Sequence, residues 1–255
     1  MLHFDEIVFG PIYSRRLGNS LGINILPPIG KLCNFDCIYC ECGWNKESKS
    51  GGSFPSVELV GEALEKKLFF LKEKGEKVDS ITFSGNGEPT LHPDFASIVG
   101  VTLTLREKYF PEAKVSVLSN ATKLKSQEVV AALKKVDMPI LKLDAVDQDR
   151  IKYINRPTSK YDVEEVIKDL LSFKGEFVLQ TMFLKSPDFD SSSEQILLKW
   201  MEVVRRLKPR EIMVYTIDRE TPQKDLKAFT AEEMKKMVLP LIKEGFNIQI
   251  SGKAI

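Results

Sequence analysis

The residues best suited to chemistry are the four cysteines of this 255-residue chain, at positions 33, 37, 40 and 42. With no distant cysteine to pair with, they read as metal-binding or redox thiols rather than a disulfide framework. Iron–sulfur clusters are held by cysteine thiolates, and four ligands close a cubane. The spacing C-x3-C-x2-C of Cys33, Cys37 and Cys40 offers three from one loop and leaves one iron for a ligand that is not protein. The alternative is a zinc site on all four thiolates. Structural zinc sites usually pair two separated cysteine hairpins, whereas Cys40 and Cys42 flank the single residue Glu41 and would crowd a tetrahedron. Cys42 is therefore read as incidental to the set.

A second candidate is Ser84-Gly85-Asn86-Gly87-Glu88-Pro89. Glycines at a strand end let the backbone come close to a ligand, and exposed N–H and C=O groups can hydrogen-bond an ammonium–carboxylate pair. Alone, the segment reads as an ordinary glycine-rich turn. Further polar residues stand at candidate strand ends: Ser119 and Asn120, Lys142 and Asp144, Gln180 and Thr181, Tyr215 and Asp218. Polar side chains inside a barrel need partners, so Asp144, Gln180 and Tyr215 are open between site residues and structural polar groups. Arg15 and Arg16, after Ser14, could grip a phosphate or carboxylate by bidentate hydrogen bonds, or stay solvated. His92 reads as a turn residue capping the next helix, and Lys142 as a salt-bridge partner of Asp144 or a neighbour.

These residues must be positioned by short apolar runs that alternate with amphipathic segments. The candidate strands are 21–26, 79–84, 114–119, 140–145, 177–183 and 211–217, with a possible terminal strand at 246–250. Their near-continuous apolar character fits strands covered on both faces of a parallel sheet. Val60, Leu64, Leu68 and Leu71 recur at helical spacing, as do Met234, Val238, Leu241 and Ile242. Thr230 with Glu233 makes a capping box, Asp162 with Glu165 resembles one, and Gly75 and Gly245 are plausible C-terminal caps. The pattern predicts an α/β fold in one domain over residues 1–255, a partial (β/α)6 TIM-like barrel open at one side. The cysteines then follow the first strand at its C-terminal end, the face where barrel loops carry function. The polar segment 46–55 reads as a loop beside them.

The charge is nearly balanced, 37 Lys+Arg against 36 Asp+Glu, so no bulk field draws the chain to nucleic acid or acidic membrane. The amino terminus lacks a basic n-region and no apolar stretch approaches the roughly 20 residues of a membrane span. The expectation is a cytoplasmic protein without a membrane partner.

C-x3-C-x2-C with Tyr39 before the last cysteine resembles the signature of the radical S-adenosylmethionine (SAM) superfamily. The resemblance implies a [4Fe–4S] cluster on Cys33, Cys37 and Cys40, with SAM as ligand of the open iron through its amino and carboxylate groups. An electron passed from the cluster into the sulfonium would break a C–S bond and leave a 5′-deoxyadenosyl radical, which abstracts hydrogen from an unidentified substrate. The electron donor would be a reductase or a protein of the flavodoxin or ferredoxin type. By the same resemblance the backbone at Tyr39 contacts the adenine, and Gly85, Asn86, Gly87 and Glu88 match the Gly-Gly-Glu-Pro motif that binds the SAM amino group. Ser119 and Asn120 match ribose and carboxylate contacts. Asp144, Gln180 and Tyr215 complete the candidate cofactor set.

FGPIYSRRLGNSLGINILP, TFSGNGEPTLHPDF, LSNAT, LKLDAVD followed by INRP, and VYTIDRETP together resemble the wyosine-type tRNA synthetase-like branch, over roughly residues 8–222. The wyosine-forming enzymes carry a second cluster on three further cysteines, and no cysteine precedes Cys33 here. The chain therefore resembles the short Fe–S oxidoreductase members with one cluster. Modification of a tRNA base, which the charge does not support, and activation of a glycyl-radical enzyme are the alternatives among enzymes. Outside enzymes, the alternative is a zinc- or cluster-bound interaction module.

Overall fold

In the computed structural model, which describes residues 4–47 and 51–252, the apolar runs become one eight-stranded sheet. The chain enters through an antiparallel hairpin, β1 (Val8–Ser14) and β2 (Gly18–Ile23). There follow α1 (Val57–Glu73), β3 (Ser80–Phe83), α2 (Phe95–Tyr109), β4 (Lys114–Ser119), α3 (Gln127–Leu133), β5 (Met138–Lys142) and α4 (Gln148–Ile154). Next come α5 (Val163–Leu171), β6 (Val178–Met182), a small hairpin of β7 (Lys185–Ser186) and β8 (Phe189–Asp190), α6 (Glu194–Leu207), β9 (Glu211–Tyr215), α7 (Ala231–Lys243) and β10 (Ile248–Ser251). The sheet order β1-β2-β3-β4-β5-β6-β9-β10 follows the chain, and every pairing but β1–β2 is parallel. Successive crossovers of one hand curl such a sheet into a half-barrel.

This is the expected class with two additions. The terminal run forms β10, a seventh parallel strand, and β1 adds an antiparallel edge. Its sequence VFGPIYS is broken by Gly10 and Pro11, and its pairing slips between Phe9 and Ile12. Proline is tolerated at a sheet edge because its missing N–H faces away from the ladder.

The helices obey local chemistry. Ser56 opens α1 by accepting from the Leu59 N–H, and Val60, Leu64, Leu68 and Leu71 form its buried stripe. Thr230 and Glu233 make the reciprocal capping box of α7, and Asp162 caps α5 by accepting from the amides of Glu164 and Glu165. Of the segment 46–55, residues 48–50 lie outside the described residues; Asn45–Glu47 is a short 3-10 turn and Gly51 bridges to Ile29.

Inside the barrel the side chains divide by character. Met138, Ile140, Val178 and Met213 form an apolar plug separate from the outer core, with Leu17 and Leu118 packed on it. On β2, β3 and β4 the lumen carries linked hydroxyls: Ser20 with Thr82 at 2.7 Å, Thr82 with Ser80 at 3.0 Å, and Ser80 with Ser116 at 2.9 Å. The two sheet edges are bridged through the β1–β2 turn. Arg15 donates to the Gly252 carbonyl (2.6 Å) and pairs with Asp218 (3.1 Å), while the Gln249 amide donates to the Arg16 carbonyl (3.4 Å). Among the described residues, no helix is long and apolar enough to cross a membrane.

Candidate active site

The cysteine loop follows β2 and is docked from two sides. On one, the Leu32 amide donates to the Asn86 carbonyl (2.8 Å) and the Glu88 amide to the Leu32 carbonyl (3.0 Å). On the other, Asp36 N–H donates to Asn155 C=O (2.9 Å), Ile38 N–H to Ile154 C=O (2.9 Å) and Thr158 N–H to Asn34 C=O (2.9 Å). The Cys33–Cys40 stretch is thus laid between the SGNGEP segment after β3 and the INRP segment at the end of α4. Beneath it the Lys31 ammonium is buried, donating to the Gly43 carbonyl (2.9 Å) and pairing with Asp36 (3.4 Å).

Each thiol has a distinct setting. Asn155 Nδ2 donates to Cys37 Sγ (3.3 Å), and Cys33 Sγ accepts from Phe35 N–H (3.4 Å) and Asn120 Nδ2 (3.8 Å). Burial pushes the Cys33 thiol up to about 12 and the Cys37 thiol up to about 11, so both keep their protons until a metal displaces them. Cys40 is held below the ordinary thiol range by the hydrogen bond from Cys42, whose own thiol is held up as the donor and also reaches the Gly85 carbonyl at 3.5 Å. Cys33, Cys37 and Cys40 face one cavity.

Protein atoms stand close against the glycines of the second motif. A Cβ on Gly87, whose φ is +143°, would fall on the Leu32 carbonyl oxygen. A Cβ on Gly85, φ +132°, would come within 2.7 Å of Asn24 Oδ1. What approaches closely at both positions is protein, so these glycines let the cysteine loop and the end of β2 dock on the motif.

Glu88 ties the ends of β3 and β4 together. One carboxylate oxygen accepts from Thr90 N–H (3.1 Å), Thr90 hydroxyl (2.5 Å) and Ser119 hydroxyl (2.9 Å), the other from Asn120 N–H (2.7 Å). Burial still holds its carboxyl above the ordinary glutamate range, against the pull of those donors.

A cavity of about 450 Å³ opens under the cysteine loop, within the size range of small-molecule sites. Cys33, Cys37, Cys40, Cys42, Tyr39, Gly85, Gly87, Glu88, Ser119, Asn120, Gln180 and Tyr215 line it. Asn86 and Asp144 do not. Asn86 is fully buried and clamps the Phe4 backbone, accepting from its N–H (2.9 Å) and donating to its C=O (2.9 Å). Asp144 accepts from the Tyr39 hydroxyl, from Asn155 Nδ2 (2.7 Å) and from Met182 N–H (2.9 Å), joining the cysteine loop to α4 and β6. Lys142 lines the cavity and donates to the Tyr39 hydroxyl (3.1 Å). Burial works against its charge, but Tyr215, Asp144, Cys37 and Cys40 outweigh burial and hold its pKa well above the ordinary value.

Lys31, Asn155 and Phe4 escaped the sequence reading as site residues. Asn155 carried a signal, since INRP was among the segments of resemblance, but nothing in its spacing to Cys37 assigned it a role. Phe4, stacked on Phe9 with centroids 3.7 Å apart, gives the cavity an aromatic wall.

With fold and site described, comparison with known proteins places the chain. The profile of the Radical SAM superfamily matches residues 28–191. A UPF0026 protein of Methanocaldococcus jannaschii is 30% identical over 237 residues, covering 91% of this chain and 70% of that protein. A protein named GTPase Obg, of Brachyspira hyodysenteriae, is 33% identical over 234 residues, covering 90% of this chain; the chain spans 32% of that relative. A solved radical SAM methyltransferase from Sphaerobacter thermophilus shares the fold, with a TM-score of 0.68 at 13% identity over 91% of this chain and 65% of that one. The chain belongs to the radical SAM superfamily and, within it, to the UPF0026 family. It is an enzyme whose cofactors are a [4Fe–4S] cluster and SAM.

Proposed function

We propose that Cys33, Cys37 and Cys40 hold the cluster and that SAM lies in the cavity below, so that the enzyme abstracts hydrogen from a substrate in the barrel lumen. The observation that carries this is the docking of the cysteine loop on the Gly85–Glu88 segment, which brings three thiols and the backbone of the second motif to one cavity. When bound, the cluster and SAM supply a 5′-deoxyadenosyl radical by one-electron cleavage of the sulfonium. The protein's residues then have separate tasks. The backbone of Gly85 and Gly87 receives the amino-acid end of SAM, and Glu88 keeps Ser119 and Asn120 in place beside it. Tyr39 presents its backbone toward the adenine, its ring fixed by Asp144, Asn155 and Lys142. Asn86 and Asp144 act through the elements that they join.

We read the chain as one core domain of a short, single-cluster member resembling the wyosine-type branch, working in a reducing cytoplasm with a flavodoxin- or ferredoxin-type donor. The docking of INRP on the cysteine loop supports the likeness, because a segment shared with that branch holds the metal-binding loop.

The test uses four single Cys→Ala variants reconstituted side by side without oxygen. Cys33, Cys37 and Cys40 variants should lose most iron and 5′-deoxyadenosine formation, and Cys42→Ala should keep both. Equal loss in all four would indicate a four-thiolate site and end the reading.

A further inference from the structure

The β1–β2 turn sends a charged side chain into the lumen. Ser14 Oγ accepts from the amides of Arg16 (3.2 Å) and Leu17 (3.3 Å), which fixes the turn. The Arg16 guanidinium lies over the Tyr215 ring, 4.6 Å from its centroid. Its Nη1 is buried and has no hydrogen-bond partner among the described residues. The carboxylates that face the cavity are engaged elsewhere: Asp218 with Arg15, Glu41 with Arg219, and Glu88 with Thr90, Ser119 and Asn120. Gln180, 5% exposed, lines the same cavity, and its Nε2 is likewise buried without a partner among the described residues.

Two buried donors facing one cavity are costly unless a ligand brings acceptors. The aromatic face of Tyr215 attracts the guanidinium but leaves Nη1 without an acceptor, which a carboxylate or phosphate could supply. The SAM carboxylate is not the acceptor for Arg16, because the reading above sets the amino-acid end of SAM at Gly85–Glu88 after β3. Tyr215 ends β9, and β4, β5 and β6 stand between them in the sheet.

We propose that Arg16 and Gln180 bind an anionic group of the substrate, a carboxylate or phosphate, and thereby orient its reacting C–H within the cavity. Leu17 and Leu118, which line that cavity, belong to the apolar plug, and the hydroxyls of Ser20 and Thr82 that also line it are hydrogen-bonded to each other at 2.7 Å. The anionic group then shares a cavity of about 450 Å³ with SAM. The inference rests on the radical SAM reading and deepens it by naming a substrate class.

The experiment titrates reconstituted protein, saturated with SAM, with inorganic phosphate and separately with malonate, by calorimetry. Saturable binding of either anion is expected, weakened at least tenfold in Arg16→Met and in Gln180→Leu, and partly restored in Arg16→Lys, while SAM affinity in Arg16→Met moves less than threefold. Binding of phosphate alone, malonate alone or both supports the proposal and identifies the anion. Absence of binding by both, or an equal loss of SAM and anion affinity in Arg16→Met, overturns it. Should Arg16→Met fail to fold by circular dichroism, Gln180→Leu and Arg16→Lys decide in the same terms. Iron content and 5′-deoxyadenosine formation in the same samples report on the cofactor reading separately, so intact cofactor chemistry without anion binding defeats this proposal alone.

Discussion

The carbonyl oxygen of Leu32 stands where a side chain on Gly87 would have to go. Leu32 immediately precedes Cys33, so the glycine is a condition for placing the first thiol.

Gly87→Val should therefore displace the cysteine loop and cost most of the bound iron after anaerobic reconstitution. Gly75→Ala is the control: Gly75 also has positive φ, +68°, but nothing lies within 4 Å of its added Cβ. It should lose only about 1 kcal/mol of stability and keep its iron. Full iron in Gly87→Val would refute the docking role.

Asn155 is 1% exposed and donates from one nitrogen toward Asp144, Cys37 and Tyr39. Asn155→Leu keeps the branched outline, with larger methyl groups, and removes the donor, leaving the buried Asp144 carboxylate short of a partner. Urea unfolding of the metal-free protein should show a loss of about 1–3 kcal/mol. A change below about 0.5 kcal/mol, the level of an ordinary surface substitution, would show that the network carries no load.

Lys31 puts a buried positive charge beside the cysteine loop: burial opposes that charge, but Cys40, Asp36 and, once a metal has displaced their protons, Cys33 and Cys37 favour it. A nearby cation stabilises the more negative, reduced form of a cluster. Lys31→Met should thus lower the midpoint potential, by roughly tens of millivolts for one charge in an intermediate dielectric. Redox titration followed by EPR reads it directly, and an unchanged or higher potential would contradict the assignment.

Burial raises the Glu88 carboxyl above its unfolded value of 4.5. A group raised in this way binds its proton more tightly when folded, so its ionisation costs stability as pH rises from 4.5 through the folded pKa. Comparing wild type with Glu88→Gln across pH 4–7, roughly the span just above an ordinary carboxyl pKa, removes the opposite trend of the exposed carboxylates. The wild type should lose ground to the variant as pH rises. A difference that moves the other way would mean that the four donors outweigh burial.

Much of this architecture was legible because apolar runs declare parallel strands: 114–119 coincides with β4, and the other runs overlap their strands. The run 21–26 overshot β2 because Ile25 and Leu26 are buried as loop residues rather than as strand, each below 4% exposed. β1 was not legible, since Gly10 and Pro11 break its pattern and its pairing depends on a neighbour rather than on its own periodicity. The cysteine set and the second motif could be seen in sequence, but not that Gly87 makes room for Leu32, nor that Asn155 reaches Cys37 across 118 positions. Such relations exist only after the loops have been stacked.

The bridge from Arg15 to Gly252 joins residues 237 positions apart. Contacts of such separation form late, because the loop entropy must be overcome before they contribute. The order of assembly follows from the topology: β2 to β6, with the cysteine loop between β2 and β3, pair through neighbours in the chain, whereas the tie between the two edges of the sheet waits for β10, the last strand.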